Sequence, residues 1–375
     1  MPTITRIEIT HHQLPLEPPF PAAWDPNPRR KFPATIVRVY DDEGHMGVGS
    51  GDAMYGFHDY VGLFVGHNPL DLERHNAILA NIEFHAARAW PLDIALWDLA
   101  GQILHQPVWR MIGAHSNRIR AYASSGIHRS LRGMVEVAQQ VMERGFPALK
   151  IRFGRPRLGD DLAVVSAIRD AVGEGLELMV DCNQGWRMPW DTLQPWDLKQ
   201  AVSVAQQLQA EGVYWMEEPL HRGDYRGYSE LRKSVDIPIA GGEMTREPYE
   251  FRELLERDCL DVFQPDCALS MGIGGLRTLA VRVVEAGKVF TPHTWGNGIQ
   301  LIANLHLTAG TVGAPFIEFP YDPPEWSTAR RDYPLRNTLE PDAQGWITLS
   351  EAPGLGLELD EARLESTTSK QATFA

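Results

Sequence analysis

Hydrophobic and polar positions alternate with a period of two up to about residue 50, first in "ITRIEITHHQLPL" and then in "ATIVRVYDDEGHMGVGS". That pattern predicts strands, with "DDEG" as a hairpin turn. Between them "EPPFPAAWDPNPRRKFP" is crowded with proline, which fits neither a central strand nor a helix interior, so it reads as a long loop. Residues from roughly 59 to 112 carry a helical pattern ending in "WPLDIALWDLAGQILHQPVWRMIG". From about 119 the texture becomes strand–helix alternation, with strands at "IRAYASSG", "ALKIRF", "LELMVDCN", "VYWMEEP", "IPIAGGE", "LDVFQPD", "KVFTPH" and "FIEFP". Amphipathic segments such as "MVEVAQQVMERG" and "DDLAVVSAIRDAVGEG" separate most of them. Eight short buried strands, most followed by a helix, predict a closed parallel barrel. The tail beyond about 340, with "QGWITLSEAPGLGLELD", reads as a strand and turn returning to the first domain. The boundaries expected are 1–118, 119–335 for the barrel, and 336–375 for the returning segment.

Composition narrows the function. The chain has 375 residues, 43% hydrophobic and 22% charged, which is ordinary globular usage. Its net charge of -14 argues against a nucleic-acid partner, because phosphate binding needs a basic surface. Three cysteines, Cys182, Cys259 and Cys267, form neither a disulfide framework nor a zinc motif, which fits a reduced, cytoplasmic setting. The N-terminus lacks a charged n-region and a long apolar core, so no signal peptide is expected. No apolar run reaches the ~18 residues of a membrane span.

Candidate chemistry collects at the carboxyl ends of the strands, the active face of such barrels. Asp181, Glu217 and Glu243 end three consecutive strands. Single acidic residues at strand ends are usually solvated or cap a helix, but three in succession make an all-oxygen set suited to a hard cation, Mg²⁺ above all. Glu217 is chosen over Glu218, which falls in the opposite phase and precedes Pro219. Asn183 shares the Asp181 face and is placed either to support the metal or to bind substrate. Asp266 and His293 end the next two strands, where a carboxylate would fix the tautomer of an imidazole base. Other histidines, among them His11, His12, His105 and His306, keep a structural or surface reading. Glu318 closes the ring inside an aromatic run, as either a protonated donor or a partner of Lys150. In "PALKIRFGRP" the period-two spacing of Lys150 and Arg152 aims two cations at the same anions. Cys182 and Cys267 point away from the centre as small hydrophobes.

The motifs "LDIALWDLAGQ", "LKIR", "MVDCNQGW", "WMEEPL", "GGEMTRE", "QPDCALSMGIGG" and "TPHTWG" together resemble the enolase superfamily, in its mandelate racemase-like subgroup, over nearly the whole length. The resemblance implies an α/β fold, a modified TIM barrel (β/α)7β with an α+β capping domain formed by the N-terminal region and the C-terminal tail. It implies one Mg²⁺ held by Asp181, Glu217 and Glu243, a His293–Asp266 acid/base dyad, a carboxylate-facing Lys150, and an electrophilic or hydrogen-bonding Glu318. The shared step is abstraction of the proton α to a carboxylate, giving an enediolate.

Two features depart from that pattern. Arg152 stands where many relatives have a second lysine base, and arginine does not deprotonate in a protein. Epimerisation normally needs a base on each face, whereas syn elimination of water needs one, so an acid-sugar dehydratase is favoured. A sugar-lactone cycloisomerase or an epimerase/racemase of the same superfamily, and a catalytically silent metal- or sugar-acid-binding barrel, are the alternatives. The second departure is the insertion "GWRMPWDTLQPWD", whose Trp186, Trp190 and Trp196 either cover the site or pack between subunits. Trp24 and Arg29 on the first loop, Tyr55 and His58 on the second, and Trp295 after His293 are candidate substrate-binding residues. Arginines and polar aromatics suit a polyol with a far carboxylate, although Arg29, Arg30 and Lys31 equally read as a solvated run. A small sugar acid, no nucleic acid, no membrane and a homo-oligomer are the expected partners.

Overall fold

The computed structural model describes all residues except 52, 53, 87 and 115. Three antiparallel strands open the chain: β1 (Ile4–Phe20), β2 (Arg29–Asp41) and β3 (Met46–Gly51). Eight parallel strands follow: β4 (Arg118–Ser124), β5 (Ala148–Arg152), β6 (Glu177–Asp181), β7 (Trp215–Glu217), β8 (Ile239–Gly241), β9 (Val262–Phe263), β10 (Val289–Phe290) and β11 (Ile317–Pro320). Two short strands, β12 (Trp346–Thr348) and β13 (Thr368–Phe374), come last. The parallel strands run in the order β10-β9-β8-β7-β6-β5-β4-β11, each of the first seven in sequence being followed by a helix. This curled sheet is the modified (β/α)7β barrel. Side chains bridge its last seam, where Thr291 Oγ1 donates to the Phe316 carbonyl (2.6 Å) and Thr294 Oγ1 to that of Glu318 (2.6 Å).

Both chain ends build the capping layer. β13 pairs antiparallel with β1, giving a four-stranded sheet in the order β13-β1-β2-β3. Helices α1 (Leu72–His85) and α2 (Trp90–Leu104) are associated with it, α2 lying on β2 and β3. Twelve of the fifteen α2 residues are buried, as expected of a helix apolar on every side and enclosed by two layers. Its two aspartates join the layers. Asp93 accepts from the Ile273 amide (2.7 Å) at the start of a barrel helix, and Asp98 accepts from Val48 (2.7 Å) and Leu355 (2.7 Å). No helix among the described residues is long and apolar enough to cross a membrane.

Two expectations need correction. The proline-rich stretch is mostly strand: β1 continues to Phe20 and β2 begins at Arg29, which shortens the loop to residues 21–28. Among the described residues, β1 beyond His12 and β2 before Thr35 pair only with each other. Each keeps a free edge there, where a missing proline N–H costs no ladder bond. In the tail, β12 pairs antiparallel with the N-terminal half of β4, so it extends the barrel sheet. The turn after it, at Gly354–Leu355, reaches α2 and its neighbours.

Gly47 and Gly49 on β3 let α2 approach backbone to backbone: a β-carbon on Gly49 would overlap the Pro91 carbonyl oxygen and the Ala95 amide nitrogen. Those atoms cannot swing aside. Gly49→Ala should therefore cost about 1–3 kcal/mol and lower the thermal unfolding midpoint. Gly62→Ala, where a β-carbon meets nothing within 4 Å, should leave it nearly unchanged.

Candidate active site

Register brings the strand tips together. Arg152 on β5 lies beside Asp181 on β6, and Asp181 beside Glu217 on β7. Glu243 follows β8 after Gly242, whose φ of 112° is open to glycine alone at little cost. Asp181, Glu217 and Glu243 are all buried, each with a potential ligand oxygen within 4.8 Å of the others. Asn183 (φ 50°) and Glu218 (φ 45°) adopt left-handed conformations that turn the chain off the strand tips. Asn183 donates its amide to Asp181 Oδ1 (2.8 Å). Glu218 is buried as well, but outside the trio. Burial and the neighbouring Glu243, Asp181 and Glu217 push its carboxyl well above the usual range.

The two cations are fully engaged. Lys150 Nζ donates to Glu217 Oε1 (2.7 Å) and Oε2 (2.9 Å), and pairs with Glu318 Oε1 (2.7 Å). Burial opposes its charge, yet Glu217 and Glu318 outweigh burial and hold its pKa well above that of a free lysine. Arg152 bonds Asp181 and the Ser125 carbonyl (3.2 Å). Its guanidinium lies against the rings of both Trp24 (4.7 Å) and Trp295 (5.3 Å), so the first loop touches the site through cation–π contact. Glu318 accepts from Ser124 Oγ (2.7 Å) and the Thr294 amide (2.9 Å) as well as from Lys150. Burial works against its charge, but Lys150, His293 and Arg152 bring its pKa down to about 2. Of the two readings left open, the geometry makes Glu318 the partner of Lys150.

His293 Nδ1 meets Asp266 Oδ2 at 3.0 Å, and its Nε2 points to Glu243 Oε2 at 3.6 Å. Asp266 is fixed through its other oxygen by Asn304 Nδ2 (2.9 Å) and the Ala268 amide (2.9 Å). Burial disfavours the imidazolium, but Glu243, Glu318 and Asp266 prevail and raise the His293 pKa to about 9. By contrast His306, which accepts from the Trp109 amide (2.9 Å) and contacts the Leu355 carbonyl (3.2 Å), is lowered by burial to about 4 and is structural.

The insertion after β6 reaches the same centre. Trp186 Nε1 donates to Glu243 Oε1 (2.6 Å). Between the insertion and the first loop lies a cavity of about 710 Å³, walled by Trp24, Phe153, Asn183, Trp186 and Trp190 among others. Trp24, Asn183 and Trp295 thus adjoin the carboxylates. Arg29 instead bonds Asp25 and rests 5.6 Å from the Trp24 ring. Tyr55 stacks on His11 (5.6 Å) beside a different cavity, and exposed His58 pairs with Asp59 (3.0 Å). Neither Tyr55 nor His58 is brought to the centre. The second loop starts from β3 on the capping sheet, and period-two spacing carries no information about where such a loop comes to rest.

Sequence reading missed Gln264, Asn304 and Trp186 as partners of site carboxylates. Gln264 Nε2 donates to Glu217 Oε2 (2.8 Å). It stands two residues before Asp266, and that spacing was a usable signal. Asn304 sits on a distant buried helix and gave none.

The centre fits a divalent cation. Five buried carboxylates (Asp181, Glu217, Glu243, Asp266 and Glu318) face Lys150, Arg152 and His293, an excess of two negative charges when the histidine is protonated. Glu243 Oε2 is buried with no hydrogen-bond partner. Burial pushes the Asp181 and Glu217 carboxyls up even against Arg152 and Lys150. A second acidic group, Asp41, Glu43 and His45, is a hairpin turn in which Asp41 already accepts from both neighbouring amides and the His45 ring.

A barrel with an acidic trio on consecutive strand tips and a histidine–aspartate pair beside it belongs with metal-assisted enzymes of carboxylate substrates. The family described as "Enolase C-terminal domain-like" matches residues 133–363, well over half the chain, and the protein belongs to the enolase superfamily in its mandelate racemase-like subgroup. It is similar to D-galactarolactone cycloisomerase of Agrobacterium fabrum, at 28% identity over 96% of this chain and 97% of that protein. It is also similar to L-talarate/galactarate dehydratase of Salmonella typhimurium, at 29% identity over 72% of this chain and 63% of that protein. Among solved structures, 3,6-anhydro-D-galactonate cycloisomerase from Zobellia galactanivorans superposes with a TM-score of 0.83 at 27% identity, covering 98% of this chain and all of that one.

In chelator-treated protein the His293 ring should titrate near pH 9, followed by NMR of its carbon-bound protons. Because the folded-state pKa lies above the unfolded value of about 6.5, the stabilisation is complete below pH 6.5 and is lost as pH rises through 9. Added Mg²⁺ should lower that pKa by offsetting the charge of Glu243. An unmoved titration would mean the cation does not bind at this cluster.

Proposed function

We propose that the protein is a Mg²⁺-dependent lyase that removes water from a sugar acid, beginning with loss of the proton α to the carboxylate. One Mg²⁺ held by Asp181, Glu217 and Glu243 would supply positive charge to the substrate carboxylate as the α-carbon loses its proton. The observation that carries the reading is the presence of one usable base among the described residues flanking the cluster. His293 turns Nε2 toward it, with Nδ1 held by Asp266. Lys150 stays protonated between Glu217 and Glu318, and Arg152 cannot give up its proton.

In this reading His293, its pKa brought down from about 9 once a cation offsets Glu243, takes the α-proton on Nε2, the C–H pair moves toward the carboxylate, and Lys150 with Arg152 helps offset the growing negative charge. The same imidazolium then protonates the β-hydroxyl as its C–O bond breaks, and water leaves from the face on which the proton was taken. The resulting enol becomes a 2-keto-3-deoxy acid. Asp266 and Asn304 hold the ring in one tautomer through both transfers. A second reading rests on two of the relatives that align along their whole length and are named cycloisomerases. There the same base and β-carbon are used, but the departing oxygen belongs to an internal ring and remains in the product.

Incubation with Mg²⁺ in D₂O against a panel of sugar acids and lactones separates the readings. Loss of water gives the dehydratase, an isomer of unchanged mass gives the cycloisomerase, and absence of α-proton exchange across the panel would sink both. His293→Asn should lower the rate by about 10²–10⁴ while leaving Mg²⁺ affinity, measured by calorimetry, nearly intact. Lost metal binding in that variant would make His293 a ligand.

A further inference from the structure

The cavity beside the carboxylates is too large and too neutral for the far end of a simple sugar acid. At about 710 Å³ it falls in the range of roughly 300–1,000 Å³ that encloses drug-sized ligands, well beyond one six-carbon acid. Three of its wall residues also touch groups of the reaction centre. Trp24 packs on Arg152, Asn183 donates to Asp181, and Trp186 donates to Glu243.

The charges on its wall are already matched. Arg155 pairs with Asp161 (2.8 Å), and Arg187 with Asp191 (3.5 Å), the Asn183 carbonyl (2.9 Å) and Gln184 Oε1 (3.0 Å). Asp25 holds Arg29. A second carboxylate entering here would have to break one of these pairs or be desolvated without a partner, which is costly. The remaining surface is apolar, Trp24, Trp186, Trp190 and Trp196 standing among proline, leucine, methionine and phenylalanine side chains, with a few amide and hydroxyl groups. Trp190 is 52% exposed and Leu193 76% exposed, large apolar side chains kept in solvent at the mouth of a cavity. A pyranose ring presents an apolar face of C–H groups and a rim of hydroxyls, and this wall is its complement.

We propose that the insertion 184–197 forms a subsite for a neutral glycosyl substituent, so that the substrate is a glycosylated monocarboxylic sugar acid and not a diacid. The proposal rests on the carboxylate chemistry above for the reacting end only. The glycosyl ring lies on the tryptophans of the insertion, and Asn183, Thr192 and Gln194 meet its hydroxyls. The reacting acid remains at Asp181, Glu217 and Glu243.

The test uses the full chain and three acids: gluconate, its 4-O-glucosyl derivative cellobionate, and the diacid galactarate. Mg²⁺-dependent α-proton exchange should show kcat/KM at least tenfold higher for cellobionate than for either of the others. Trp190→Ala should reduce the cellobionate-to-gluconate ratio at least fivefold. Equal or higher kcat/KM for gluconate or galactarate would overturn the proposal, as would an unchanged ratio in the variant. A separate readout needs no metal or turnover: cellobiose should quench tryptophan fluorescence saturably in chelator-treated wild type and more weakly in Trp190→Ala. If no acid exchanges its α-proton while cellobiose still binds, the reaction assignment fails and the subsite stands. If exchange occurs and cellobiose does not bind, the subsite fails alone.

Discussion

Carboxylates buried at the strand tips are the constraint around which the rest of the molecule is arranged. Charges removed from water at this depth persist only with partners, and nearly every neighbour serves that purpose. Lys150 links Glu217 to Glu318, Arg152 secures Asp181, and His293 stands between Asp266 and Glu243. The remaining negative excess is what a divalent cation would neutralise. One electrostatic requirement thus accounts for the cations on β5, the glutamate on β11 and the fit of the acidic trio to a divalent cation.

The same constraint joins the layers. Trp24 reaches from the capping domain's first loop to Arg152, and Trp186 reaches from the insertion to Glu243. A loop that contacts a charged side chain already bonded to a proposed metal ligand can report its own position to the metal site. Rigid supports lie behind it: glycines on β3 bring α2 close, and Asp93 and Asp98 tie that helix to the barrel and to the chain's returning tail. Precise placement of reacting groups needs such supports, because small displacements cost large factors in rate.

Much of the centre was legible because β-strands impose a simple code. Period-two alternation and apolar runs located all eight barrel strands, and their polar carboxyl ends pointed to Asp181, Glu217, Glu243, Asp266, His293 and Glu318. Legibility failed where strand phase stopped applying. Tyr55 and His58 lie on a loop that carries them away from the centre, and proline content hid a two-stranded ribbon whose free edges tolerate it. Asn304 holds Asp266 from a helix 38 residues further on, a contact made by packing alone.

The sequence by itself determined the barrel, the acidic trio and the histidine–aspartate pair, because spacing along a strand dictates which side chains share a face and a tip. Tertiary structure decided the states and partners of those groups. The Glu318 carboxyl is held below the usual carboxylate range because Lys150 and Arg152 are close in space, and Arg29 is occupied because Asp25 folds back onto it. The cavity of the tryptophan insertion is neutral because its arginines found carboxylates. Electrostatic environment depends on distances between segments remote in the chain, and those distances exist only once the layers have packed.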